Sequence, residues 1–133
     1  MAQDYAERAR WVLREAENAF SSGNNAICVR RSQEALELAT KAMLRRLAIE
    51  YPREHDIGEA VEAVAERLPD FVRARIRDIK TLLSELARVR GPAVYGYETE
   101  GIPASEAFTK QYAADILEKT RDLVELCVRF AGQ

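Results

Sequence analysis

The chain has 133 residues, of which 47% are hydrophobic and 32% charged, and its formal net charge is -2. That length suits one domain with one core, and the mix excludes a disordered chain, which combines low hydrophobicity with high net charge. The near balance of charge also excludes a globally basic nucleic-acid binder of the histone kind, but leaves room for a local basic patch.

No apolar run reaches the roughly 18 residues of a membrane span. The start, Met1-Ala2-Gln3-Asp4-Tyr5, lacks the basic and apolar regions of a secretory signal. A cytoplasmic protein with no membrane partner is expected. Cys28 and Cys127 each sit among apolar residues. Two cysteines do not make a disulfide framework, so both are expected as reduced core thiols.

The first predicted helix runs from about Gln3 to Ser21, with Tyr5, Ala9, Val12, Ala16 and Ala19 forming an apolar stripe. Ser21-Ser22-Gly23-Asn24 breaks it: Gly23 suits a left-handed cap and Asn24 suits the N-cap of the next helix. The second helix runs from about Asn25 to Tyr51, burying Ile27, Ala35, Leu38, Ala39, Ala42 and Leu47, and Pro52 ends it. A short third helix, about Asp56 to Leu68, opens on Asp56 with Glu59 in a capping-box relation. Its inward residues are Ile57, Ala60, Val61 and Val64, and Pro69 follows.

The fourth helix, about Asp70 to Arg90, carries a bundle seam of Val72, Ile76, Ile79, Leu83 and Leu86. Gly91-Pro92 is predicted to stop it, and Gly91 to Pro103 reads as a structured loop. The fifth helix runs from about Ala104 to Ala131, entered at Ser105, with Tyr112, Ile116, Leu123, Cys127 and Phe130 inward. No stretch reads as strands joined by hairpin turns. The predicted class is all-α: an antiparallel up-and-down four-helix bundle with one additional short helix, as a single domain over residues 1–133.

Few motifs for chemistry are present. His55 is the one histidine, and there is no HExxH or CxxC, so no metal site is expected. Without a P-loop, GxGxxG or GxSxG, no cofactor and no catalytic residue is assigned. Gln33, Glu37 and Lys41 form a polar ladder on the second helix. It is either a solvated face or a polar seam turned to a cleft or a second subunit.

The segment from Arg67 to Arg90 is locally basic, holding Arg67, Arg73, Arg75, Arg77, Lys80, Arg88 and Arg90 against Asp70, Asp78 and Glu85. It is either an ordinary charged surface or an attraction for phosphate. It ends in Arg88-Val89-Arg90-Gly91-Pro92-Ala93-Val94-Tyr95-Gly96-Tyr97. Arginine forks hold phosphates, and tyrosine rings stack on bases. Arg88, Arg90, Tyr95 and Tyr97 are therefore the proposed nucleotide- or RNA-binding residues.

Three features together resemble the HEPN family. They are the second-helix string from Ala26 to Leu44 with Gln33, Glu37 and Lys41 in register, His55-Asp56 opening the third helix, and the Arg and Tyr cluster ending the fourth. The resemblance covers nearly the whole chain. It implies a helical bundle that forms a homodimer and works beside a small nucleotidyltransferase, often as a toxin–antitoxin pair. Active relatives are metal-independent ribonucleases with an arginine, four to six residues, then a histidine. Here Arg90 is followed after four residues by Tyr95, and His55 has no arginine at that distance. Tyrosine, with an ordinary pKa near 10 against about 6.5 for histidine, is a poor general base at neutral pH. By position, Tyr97 matches the family's nucleotidylation acceptor.

Three functions remain open on the sequence. One is a nucleotide- or RNA-binding module that pairs with a nucleotidyltransferase. Another is a metal-independent endoribonuclease using Tyr95 or His55 in an atypical site. The third is a structural interaction adaptor.

Overall fold

The computed structural model describes residues 1–50 and 56–133. Among them are six α-helices: α1 Ala2–Ser21, α2 Asn25–Arg46, α3 Ile57–Ala63, α4 Asp70–Arg73, α5 Ile76–Tyr95 and α6 Lys110–Ala131. Short 3-10 turns lie at Ala65–Arg67, Glu98–Glu100 and Ala104–Glu106. The all-helical bundle with a short extra helix is as the sequence predicts, while several helix ends differ.

The first turn follows its sequence. Gly23 has φ +80°, its N–H donates to the Phe20 carbonyl, and the Asn24 N–H donates to the Ala19 carbonyl at 2.8 Å. This is the paired closure of a Schellman cap. The Asn24 side chain then accepts from the Ile27 N–H at 3.1 Å and starts α2. The same closure ends α2 at Arg46, earlier than expected. The Ala48 N–H donates to Arg45 and the Ile49 N–H to Leu44, with Ala48 at φ +60°. Alanine is the best helix former, so nothing local announces this stop. The expected end at Tyr51 and Pro52, with Glu54 and His55, lies outside the described residues.

Asp56 caps α3 as predicted, accepting from the Gly58 N–H at 2.8 Å. The helix closes at Ala63 and tightens into the 3-10 turn, short of Leu68. The expected single helix Asp70–Arg90 is instead two helices, broken at Ala74-Arg75, where the Arg75 N–H bonds the Val72 carbonyl. Phe71, beneath the Arg129 guanidinium at 4.4 Å, ties α4 to α6, while α5 packs on α2 and α3.

Gly91-Pro92 does not stop α5. Proline lacks the N–H that the Arg88 carbonyl would take, but one missing bond in the penultimate turn is tolerated. Gly96 makes the stop, at φ +73° and ψ -166°, a region reserved to glycine. A Cβ there would lie 2.2 Å from the Ile102 carbonyl oxygen. Beyond it, Tyr97 and Ile102 exchange backbone bonds of 2.7 and 3.0 Å, so the structured loop begins at Gly96 rather than Gly91 and is shifted along the chain. Finally, α6 begins at Lys110 rather than Ala104, because Thr109 supplies the cap by accepting from the Tyr112 N–H at 3.0 Å.

Helix α2 is central. It buries Ala26, Ala35, Ala39 and Ala42 as well as Leu36, Met43 and Leu44, and it packs on α1, α5 and α6. Small side chains let helix axes approach closely. Asn25 Nδ2 donates to the Phe108 carbonyl and Arg46 Nε donates to the Gln133 carbonyl, so α2 and α6 run parallel along their lengths. With α2 drawn onto α6, helices α5 and α6 meet only sparsely, and clefts open on both sides of α5.

Candidate functional site

The first cleft lies between α2 and α5 and has a volume of about 160 Å³. It is lined by Arg30, Arg31, Gln33, Glu34 and Glu37 from α2, and by Arg90 and Val94 from α5. Gln33 is only 8% exposed, and its amide donates to Glu37 Oε1 at 3.3 Å. The polar ladder therefore turns Gln33 and Glu37 to a cleft rather than to open solvent. Glu37 also borders a neighbouring cavity of about 200 Å³ with Asp56, Leu83, Ser84 and Ala87, which extends the groove along α5.

The charges in the first cleft are unequal in availability. Arg31 is engaged by Glu15 at 3.1 Å and Glu34 at 2.7 Å. Among the described residues, neither Arg30 nor Arg90 forms a salt bridge. Two guanidiniums without carboxylate partners beside a buried amide can hold an anion through several N–H donors at once.

The second cleft lies between the C-terminal end of α5 and the start of α6, and has a volume of about 270 Å³. Arg88, Val89, Tyr97, Ala107, Phe108, Thr109 and Tyr112 line it. The Tyr112 phenol is pushed above its ordinary value, first by burial and then by the Glu85 carboxylate, with Arg88 opposing.

The four site residues expected from sequence are thus not one cluster. Arg88 and Tyr97 share the second cleft, Arg90 lines the first, and Tyr95 lines neither, standing 68% exposed at the end of α5. The basic segment is also partly neutralised. Arg73 pairs with Asp70, Arg75 with Asp78 at 2.8 Å and Lys80 with Glu62 at 2.5 Å. A count of charge along the segment shows neither the i,i+3 pairing of two of these cations nor the reach of Lys80 across to Glu62 on α3.

Two further residues escaped the sequence reading. Arg30, beside Arg31, was legible only as a doublet interrupting an apolar helix. Tyr112 reads as an inward core residue, which it partly is, but it also forms a cleft wall. The cysteines play no part in either cleft: both are buried and unpaired. Burial pushes the Cys127 thiol up to about 12 and raises Cys28 as well.

Among the described residues, no helix is long and apolar enough to cross a membrane. No curated protein matches the chain. The HEPN domain model matches residues 2–130, nearly the full length, and the helical architecture agrees with it. The chain belongs to the HEPN domain family, and with it to a general class of nucleotide- and RNA-related helical modules.

Proposed function

We propose that this protein is a nucleotide- or RNA-binding HEPN module that acts as a homodimer with a small nucleotidyltransferase, in a toxin–antitoxin-like pair. The observation that carries the binding reading is the convergence of Arg90 from α5 with Arg30 from α2 in one cleft, neither paired to a carboxylate among the described residues. Phosphates of a single strand crossing the bundle at this point meet both guanidiniums. Tyr95, 68% exposed and five residues beyond Arg90, stands roughly 140° around α5 from it, so a base would reach its ring as the strand wraps the end of the helix.

Support for the dimer comes from the small exposed residues along α5. Thr81, Ser84, Ala87 and Gly91 permit close approach of a second copy, and because Ser84 and Ala87 also border the cavity beside Glu37, that copy would seat along the groove. Tyr97 is the proposed acceptor for the nucleotidyltransferase: its side chain is 37% exposed, and its backbone is held by the exchange with Ile102. In that step the Tyr97 phenol oxygen bonds the α-phosphorus of a nucleoside triphosphate, pyrophosphate leaves, and the phenolic proton passes to solvent or a base of the partner.

The test is incubation of the purified protein with labelled single-stranded RNA in EDTA, with Arg90→Ala alongside. A retarded, intact RNA with the parent and a weaker shift with the variant supports the module. Cleavage in EDTA that requires Arg90 replaces it with a ribonuclease. No retention at moderate salt leaves the adaptor.

A further inference from the structure

The second cleft takes no part in the strand-binding reading, yet its walls are those of a ligand site. Tyr97, Phe108 and Tyr112 give it aromatic surface, and the last two stack with ring centroids 5.5 Å apart and planes at 15°. Arg88 brings a guanidinium that, among the described residues, has no salt bridge. Thr109 is the N-cap of α6, so the cleft lies at the N-terminal end of a 22-residue helix whose first turn holds no acid. The unbonded N–H groups there favour an anion. The Tyr112 hydroxyl is buried and has no hydrogen-bond partner, although Glu85 and Arg88 lie close enough to influence it. A hydroxyl left in that condition is costly, and a ligand that bonds to it recovers the loss.

We propose that this cleft is a binding site for a small planar aromatic anion, one ring system bearing one carboxylate or phosphate. The ring lies against Tyr97 and Phe108, the anionic group meets Arg88 and the α6 N-terminus, and a polar ring atom bonds to Tyr112 Oη. The volume of about 270 Å³ fits this class. Drug-sized ligand pockets span roughly 300–1,000 Å³, so a cleft just below that range takes one ring system and not a strand. The site is independent of the Arg30 and Arg90 cleft, on the other side of α5.

Calorimetric titration of the full chain with adenosine monophosphate, benzoate, cyclohexanecarboxylate and inorganic phosphate tests this. At least one aromatic anion should bind with Kd below about 1 mM, and about tenfold more tightly than cyclohexanecarboxylate or phosphate. Preference for adenosine monophosphate identifies a nucleotide ligand, and preference for benzoate an aromatic acid. Arg88→Ala should weaken binding about tenfold and Tyr112→Phe about fivefold, while Arg10→Ala on α1, which lines neither cleft, changes it less than about twofold. Arg88→Lys keeps the charge and should recover part of the loss. The idea fails if neither aromatic anion binds at several millimolar. It also fails if the saturated ring binds as well as the flat one, or if Arg88→Ala binds like the parent. Retained far-ultraviolet helicity in each variant excludes unfolding as the cause.

Discussion

Arg88 and Arg90 are two residues apart on α5 and face different clefts: Arg88 lies beside Tyr97 and Tyr112, and Arg90 beside Arg30 and Gln33. Positions two apart on a helix are separated by about 200° of rotation, so the pair cannot grip one phosphate. Arg90→Ala and Arg30→Ala should each weaken single-stranded RNA binding several-fold. Each should also lower the slope of log affinity against log salt by about 0.7. Arg88→Ala should leave that slope unchanged. A filter-binding salt series in which all three variants behave alike would merge the two clefts into one surface and refute the assignment.

Gly96 fixes where Tyr97 goes. Gly96→Ala places a Cβ 2.2 Å from the Ile102 carbonyl oxygen, in a backbone region that a side chain does not accept. The strain alone is about 1–3 kcal/mol. The expected result in a urea melt is a loss of at least about 2 kcal/mol. Gly23→Ala is the control, with positive φ but nothing within 4 Å of the added carbon, and it should cost less. Equal costs would mean that the close approach at Gly96 is not present in solution.

Periodicity made the long helices legible in the sequence, and Gly23, Asn24 and Asp56 made three of their ends legible too. What stayed hidden depended on partners far along the chain. The break at Ala74-Arg75 occurs among good helix formers and coincides with Phe71 being held by Arg129 from α6. Pro92 reads as a terminator but falls where losing one bond is cheap. The residues of the candidate site were half legible: Arg88, Arg90, Tyr95 and Tyr97 could be picked out as unusual, but their division between two clefts follows from how α2 spreads α5 from α6. Arg30 and Tyr112 could only be recruited once that packing was known.

Ala48 ends α2 in a conformation that suits glycine. A left-handed alanine costs roughly 1–2 kcal/mol, and glycine's greater freedom in the unfolded chain returns part of that. Ala48→Gly should therefore raise stability by about 0.5–1 kcal/mol, read from the urea midpoint at constant slope. A decrease would show that α2 continues through Ala48 in solution.

The small residues of α5 give the proposed dimer a direct test. Ala87 is exposed and small at the edge of the cavity beside Glu37, and a long charged side chain there should hold a second copy away. Ala87→Arg should shift the sedimentation coefficient of the parent dimer to that of the monomer, with helicity retained. The exposed Glu118 on α6 offers a control, since Glu118→Arg should leave the assembly intact. A parent that sediments as a monomer at all concentrations, or an Ala87→Arg protein that remains dimeric, would remove α5 from the interface.

The buried thiols supply the last prediction, because their protonation is tied to folding. Burial raises Cys127 from 9.0 to about 12 and raises Cys28 as well, so the folded state binds the thiol proton more tightly than the unfolded chain. Stability from this source is complete below the ordinary thiol value and is lost as pH climbs from 9.0 toward about 12, because the unfolded state releases its protons first. The midpoint of urea unfolding should accordingly fall above about pH 9. Cys127→Ala should flatten that fall, although the cavity it leaves lowers stability at every pH. A thiol reagent at pH 8 should label neither cysteine in the native protein and both in denaturant. Rapid labelling of Cys127 under native conditions would show that α6 opens there, and would remove the burial on which the pH effect depends.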